Sequence, residues 1–173
     1  FESLITAGNI GAFGITAAST QVTNLAAIEG VPRPGLVQCI TNVLDSPGSM
    51  AITTEAPAPR EVVRVAKEQG LGVMGIRAVA AGALTAKVDR TINPDSGEAK
   101  DFVRAEPFRR LASDMNTSAA ALAHRYALAM PGVDTVVLGV KNREELSECL
   151  QAEALPRFTE DEMKTIEQHA GDS

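Results

Sequence analysis

The chain has 173 residues and a formal net charge of −6 at pH 7, with 45% hydrophobic and 22% charged residues. This length allows one domain with a substantial core, and we expect a single domain over residues 1–173. The negative charge and the absence of a basic cluster argue against nucleic-acid binding, and no apolar run is long enough to span a membrane. With no signal peptide visible, a cytoplasmic location is expected.

The first 69 residues predict alternating helices and strands. Residues 1–5 are typical of the last turns of a helix that ends before Gly8, and there is no initiator methionine, so we expect an N-terminal part to precede them. The elements that follow are a strand at 10–15, a helix at 21–29, a strand at 36–42, a loop at 45–59 and a helix at 60–69.

The remaining residues continue this alternation. They predict a strand at 72–76, a long polar connection at 77–106, helices at 107–114 and 117–130, and a strand at 135–138. Thr117 is the expected cap of the second of these helices. Asn142 and Glu145 match a capping box for a helix over 143–150, and Thr159 with Glu162 matches another for a last helix.

Four strand–helix units in a row indicate an α/β fold with a parallel sheet. The strands are continuous apolar runs, which predicts a sheet that is covered on both faces. An open doubly wound sheet and part of a (β/α)8 barrel both fit. A whole barrel needs about 250 residues, so four units would make half of one. Because long loops follow the second and third strands, we expect the functional site at the carboxyl ends of the strands.

The segment TVVLGVKNREELSECL at residues 135–150 is the strongest local indication of a binding site. A buried strand leads through Gly139 into a helix start, where unpaired N–H groups and the helix dipole favour an anion. Lys141 adds a cation beside these donors. The same pattern also fits a capped helix with a solvated Lys141, and the segment alone does not separate the two interpretations.

The sequence offers few other candidates for chemistry. Cys39 and Cys149 have no second Cys or His at metal-ligand spacing, so we expect two free thiols and no metal site. His124 lies within a predicted helix and His169 in a polar tail, and we interpret both as structural or solvated. No catalytic residue is assigned.

Four segments, in the same order, resemble the C-terminal half of the aldo/keto reductases, which are NADPH-dependent (β/α)8-barrel enzymes. The family pattern leeL…aGkiraiGvS is matched by FESLITAGNIGAFGIT at residues 1–16, and its vQ…yN by Val37, Gln38 and Asn42. Its gigvlaysPLa.GlLtgk is matched by GLGVMGIRAVAAGALTAK at residues 70–87, and its last helix–strand–helix pattern by residues 118–149. The resemblance implies half of a TIM barrel, strands 5–8, from an enzyme that reduces aldehydes or ketones by hydride transfer.

The resemblance also implies that the catalytic Asp, Tyr, Lys and His lie outside this chain, which keeps much of the NADP site. Thr16 and Gln38 would bind the nicotinamide carboxamide. The loop with Arg77, Gly82 and Leu84 would wrap the pyrophosphate, where Arg77 either binds phosphate bidentately or forms a structural salt bridge.

The adenosine end of NADP is assigned to the last strand-to-helix turn by the same resemblance. Gly139, Lys141, Asn142 and Arg143 would receive the 2′-phosphate. Glu148 matches the family Glu near the adenine, while the Asn that follows it in the family is Cys149 here.

The implied partners are a small carbonyl substrate and either a second copy of the chain or the missing N-terminal half, because a half-barrel has two open edges. One alternative is a non-catalytic module that binds NADP(H) or docks to a partner. Another is an unrelated phosphate-binding α/β domain that uses only the turn at Lys141.

Overall fold

Four parallel strands form one sheet, in the order β1-β2-β3-β4, in the computed structural model, which describes residues 1–18, 20–50 and 58–171. The strands are β1 (Gly14–Thr16), β2 (Leu36–Ile40), β3 (Gly72–Ile76) and β4 (Thr135–Val136). Their register places Thr16, Gln38, Met74 and Thr135 in one row across the sheet. The predicted parallel α/β sheet is therefore confirmed, and the carboxyl ends of all four strands lie at one edge.

Helices precede, connect and follow the strands. They are α1 (Glu2–Thr6), α2 (Gln21–Glu29), α3 (Pro59–Glu68), α4 (Gly97–Arg104), α5 (Glu106–Asp114), α6 (Ala119–Ala129), α7 (Arg143–Ala154) and α8 (Glu160–Gly171). Short 3-10 helices lie at Gly48–Met50 and Ala80–Gly82. Part of the predicted loop over 45–59, namely residues 51–57, lies outside the described residues.

The sheet has one well-covered face. Val37 and Val73 are fully buried on it and belong to the same core as Val62 and Ala66 of α3. Cys39 is on the same face, and its thiol donates a hydrogen bond to the carbonyl of Pro59 (3.4 Å). Burial of these side chains supplies most of the driving force that holds the sheet against its helices.

The other face is only partly covered by the described residues, so the predicted cover of the sheet is found on one face and not on both. Gln38 and Met74 are half-buried there, while Thr16 and Thr135 are exposed. An apolar run suggests a strand that is buried on both sides. It does not reveal whether the residues that would bury the second side belong to the same chain.

Helix α4 falls within residues 77–106, which were predicted to be a connection without a helix. Its buried side carries Glu98 and Asp101 rather than apolar residues, so the usual apolar spacing is missing. Glu98 accepts hydrogen bonds from the backbone and the hydroxyl of Ser49, and Asp101 accepts one from Ser46. These bonds compensate for the burial of two carboxylates and tie α4 to the loop after β2.

The structure confirms two of the three predicted helix caps. Asn142 caps α7 and Thr159 caps α8, as predicted. The cap of α6 is Ser118 and not Thr117, since the Ser118 hydroxyl accepts from the amide of Ala121 at 2.9 Å. Gly8 has φ +72°, a left-handed conformation that ends α1 and that glycine adopts without strain.

The two outer strands are shorter than predicted. β1 begins at Gly14 instead of residue 10, and β4 ends at Val136 instead of residue 138. In the described part of the chain, each of them pairs with a neighbour on one side only. With one neighbour, a strand can extend only as far as that neighbour offers hydrogen-bond partners.

Candidate functional site

A cleft of about 440 Å³ opens at the carboxyl ends of β3 and β4. Three parts of the chain form its walls: the loop after β3, the turn after β4, and the facing sides of α6 and α7. The cleft therefore lies where ligands bind in parallel α/β folds, at the strand ends from which the longer loops depart.

The turn after β4 leads directly into the capped start of α7. The Asn142 side chain accepts from the amide of Glu145 at 2.8 Å. The Glu145 carboxylate accepts in return from the amide of Lys141, also at 2.8 Å. This arrangement resembles a capping box, so an anion that approaches this helix start meets two N–H groups that are already bound, that of Lys141 to the Glu145 carboxylate and that of Glu145 to the Asn142 side chain.

Lys141 also has a carboxylate partner. Its ammonium group forms an ion pair with Asp89, although the lysine side chain is 63% exposed. Arg90, the neighbour of Asp89, donates to the carbonyl of Ala81 at 2.9 Å. The cleft thus contains cations whose present partners are weak surface contacts that a bound anion could replace.

Arg77 stands at the mouth of the loop after β3 with φ +59°, an unusual conformation for a residue with a side chain. Its carbonyl accepts from the buried Asn42 amide at 3.1 Å, which fixes this backbone. Its guanidinium pairs with Glu98 at 3.2 Å, and both side chains are largely buried. Burial disfavours the Glu98 carboxylate, but hydrogen bonds from Ser49 and Arg77 outweigh it and lower its pKa to about 2.

The salt bridge to Glu98 matches one of the two roles predicted for Arg77. Phosphate binding stays open beside it, because Arg77 also lines the cleft and its buried Nε atom has no hydrogen-bond partner in the described part of the chain. Gly82 lines the cleft as well, with φ +99°. Leu84 does not line it, because its side chain is fully buried in the core.

Thr16 and Gln38 lie together on the open face of the sheet, outside the cleft lining. The Thr16 hydroxyl donates to Oε1 of Gln38 at 3.0 Å, and the Gln38 amide donates to the sulfur of Met74 at 3.4 Å. A thioether is a weak acceptor. The Gln38 amide could therefore exchange this partner for a better one at little cost.

Four of the five residues predicted for the adenosine end divide between two surfaces, and the fifth, Asn142, caps α7 and lines neither. Gly139 and Lys141 line the cleft. Arg143 lines a separate, open depression of about 480 Å³ along the outer side of α7. Glu148 lines both surfaces and accepts a hydrogen bond from the Ser118 hydroxyl.

Sequence reasoning missed two features of the cleft. One is the ion pair of Asp89 with Lys141. The other is a contact between Cys149 of α7 and His124 of α6, with 3.4 Å between Sγ and Nδ1. Neither contact has a signal in the spacing of the residues, because each joins segments that are far apart in the sequence.

Over the described ranges, no cluster of three or more His, Cys, Asp or Glu side chains is arranged to hold a metal ion. No helix within the described part of the chain is both long and apolar enough to cross a membrane. Cys39 and Cys149 are free thiols, as predicted.

Comparison with known proteins identifies a family that matches the sequence. The sequence profile of the Aldo/keto reductase family matches residues 1–170. No curated protein matches the sequence.

Solved structures with the same fold include an aldo-keto reductase from Bacillus halodurans, in holo and apo forms, at 20% identity and TM-score 0.71. The alignments cover all of this chain, 55% of the holo chain and 56% of the apo chain. The glycerol dehydrogenase of Gluconobacter oxydans aligns at 19% identity and TM-score 0.66, over 96% of this chain and 51% of its own. The chain therefore spans about half the length of these relatives.

Proposed function

Since the chain belongs to the aldo/keto reductase family, we propose that it is the NADP(H)-binding half of an oxidoreductase that reduces aldehydes or ketones. The observation that carries this proposal is the cleft at the carboxyl ends of β3 and β4, which is lined by Arg77 from the loop after β3 and by Lys141 from the turn after β4. Two cations at the ends of parallel strands suit a ligand with two separated phosphate groups.

The donor set of the cleft fits such a cofactor. The buried Nε–H of Arg77 has no hydrogen-bond partner among the described residues, so it can donate to a further anionic group without losing Glu98. We assign Arg77 and the backbone around Gly82 to the pyrophosphate. Leu84 supports that loop from the core and does not touch the ligand.

The adenosine 2′-phosphate is assigned to the turn after β4. Lys141 would exchange Asp89 for this phosphate, and Gly139 leaves open space beside it, because a Cβ built there meets no atom within 4 Å. Asn142 mainly caps α7. Arg143 and Glu148 would contact the nucleotide from the neighbouring depression.

The nicotinamide end is assigned to Thr16 and Gln38 on the open face of the sheet. Their mutual hydrogen bond orients the Gln38 amide, and the weak contact to Met74 leaves its N–H group able to bind a carboxamide oxygen. When bound, NADPH supplies the hydride. The residues of this chain hold the cofactor, and the groups that protonate the carbonyl are proposed to lie outside it.

The open face and the two outer strands support the assignment as half of a barrel. β1 and β4 each pair on one side only within the described residues. Exposed apolar side chains are found on the segments that precede β1 and follow β4, namely Phe1, Leu4 and Ile5 on and beside α1, and Val137, Val140, Leu146 and Leu150 in the turn after β4 and on α7. Such edges favour association, so we propose that a second copy or an N-terminal half pairs with them.

We also propose that the protein is located in the cytoplasm.

The test is a titration of the chain with NADP⁺, NAD⁺ and inorganic phosphate by isothermal titration calorimetry. We expect NADP⁺ to bind most tightly, followed by NAD⁺, with inorganic phosphate far weaker. Equal affinity for NADP⁺ and inorganic phosphate would instead support a domain that uses only the turn at Lys141.

A second candidate function is a non-catalytic module that binds NADP(H) or docks to a partner, and the open strand edges favour it. Oxidation of NADPH with a reactive aldehyde separates it from an enzyme. We expect the chain alone to bind NADPH without turnover. Robust turnover would show that the catalytic groups are present, contrary to the proposal.

A further inference from the structure

A thiol and an imidazole meet in the wall of the cleft. Cys149 on α7 and His124 on α6 are both 7% exposed, and their Sγ and Nδ1 atoms are 3.4 Å apart. The Nε2 atom of the same ring is 4.0 Å from the sulfur. Both side chains border the cleft, so a small molecule inside the cleft can reach them although they are screened from bulk solvent.

The second thiol of the chain has a different setting. Cys39 is 1% exposed, does not border the cleft, and donates its S–H to the carbonyl of Pro59. The chain contains these two cysteines and two histidines, His124 and His169. Cys39 therefore serves as the control for Cys149, and His169 as the control for His124.

Electrostatics keep the pair neutral. Burial lowers the pKa of His124, against a smaller opposing effect of Glu148. Burial also raises the pKa of Cys149, and the charges of Glu148 and Glu145 add to it. At neutral pH an uncharged imidazole thus faces a protonated thiol, which is the arrangement in which a ring nitrogen accepts the proton as the sulfur attacks.

We propose that Cys149 and His124 form a modification site for small soft electrophiles, of the class of α,β-unsaturated aldehydes, that enter the cleft. The sulfur bonds to the β-carbon of the aldehyde, and the electrons of the C=C bond move to form an enolate. The thiol proton passes to His124, and the α-carbon then takes up a proton from the imidazolium. The product is a thioether with the aldehyde intact, and no oxidant or reductant is required.

The pair borders the cleft that the proposed cofactor would occupy, so it is tested on the chain without nucleotide, where the result does not depend on cofactor binding. The probe is iodoacetamide, whose C–I bond breaks as the S–C bond forms and iodide leaves. Mass spectrometry of digested protein follows the alkylation of each cysteine with time. We expect Cys149 to react at least about tenfold faster than Cys39, and His124→Gln to slow Cys149 by about tenfold or more at pH 7, since general-base assistance is typically larger than this.

The controls use the other member of each residue type. His169→Gln should leave the rate at Cys149 unchanged, because this histidine lies on α8 and bonds to the carbonyl of Thr165 at 2.8 Å. Cys149→Ser should remove the fast phase, and Cys39→Ser should not. Equal rates at the two cysteines, or an unchanged rate in His124→Gln, would overturn the proposal.

If His124→Gln does not fold, the role of His124 is tested by the pH dependence of the alkylation rate at Cys149 in the unaltered chain. The rate at Cys149 should first rise as the pH passes the lowered pKa of His124 and rise again only near the raised pKa of the thiol. A single rise at the pKa of the thiol would overturn the role of His124. The charged groups that border the cleft around the pair are Glu145 and Glu148 from α7, Lys141 from the turn, and Arg77, Lys87, Asp89 and Arg90 from the loop after β3.

Discussion

Replacement of Lys141 by alanine should weaken NADP⁺ binding about tenfold and leave NAD⁺ binding nearly unchanged. A unit charge pair at 4 Å contributes about 1 kcal/mol in water and about 4 kcal/mol at an effective dielectric constant of about 20. Lys141 is 63% exposed, so the lower figure applies, roughly doubled for a phosphate dianion. Binding of the phosphate breaks the ion pair of Lys141 with Asp89, which offsets part of this favourable binding free energy. The net effect is about 1.4 kcal/mol, or tenfold in affinity.

The assay is a calorimetric titration of both nucleotides at two salt concentrations. Lys164→Ala is the matched control, since Lys164 is 65% exposed and pairs with Asp161 within α8, away from the cleft. The difference between NADP⁺ and NAD⁺ should shrink at high salt, because exposed charges are screened. If Lys141→Ala weakens both nucleotides equally, or if Lys164→Ala has the same effect, the assignment of the 2′-phosphate to this turn is wrong.

Three further variants test the site and the fold. Asp89→Asn removes the carboxylate that competes for Lys141, so calorimetry should show NADP⁺ binding up to about fivefold tighter, and weaker binding would contradict the exchange of partners. Phe108→Ala should lower the free energy of unfolding in urea by about 3–5 kcal/mol, since Phe108 is fully buried, and a loss below about 1 kcal/mol would mean that the core is packed differently. Glu98 has a pKa lowered from 4.5 to about 2, so its contribution to stability is present above pH 4.5 and is lost as the pH falls towards 2. Glu98→Gln should be less stable than the native chain at pH 7, with the difference shrinking at acidic pH; a difference that does not depend on pH would contradict the ion pair.

The sequence predicts regular elements well where local chemistry decides them. The capping boxes at Asn142 and Thr159 and the helix over Gln21–Glu29 are found as predicted, because their signals lie within a few residues of each other. Helix α4 was missed because its buried side is polar. Its partners, Ser46 and Ser49, lie about fifty positions earlier in the chain, beyond any local pattern.

The candidate site is predicted only in outline. Parallel strands place their carboxyl ends together, so the position of the cleft follows from the order of the elements. The partners of the charged residues do not follow. Lys141 is paired with Asp89, and His124 faces Cys149, through contacts that form only when the loop after β3 and helices α6 and α7 are in place.

Whether this chain binds NADP(H) is tested most directly by protein NMR of the isotope-labelled chain during titration with NADP⁺. We expect saturable shifts of the amide signals of Gly82, Gly139 and Lys141, together with the side-chain amide signal of Gln38. Signals that stay unchanged at these positions up to millimolar nucleotide would contradict the proposed function.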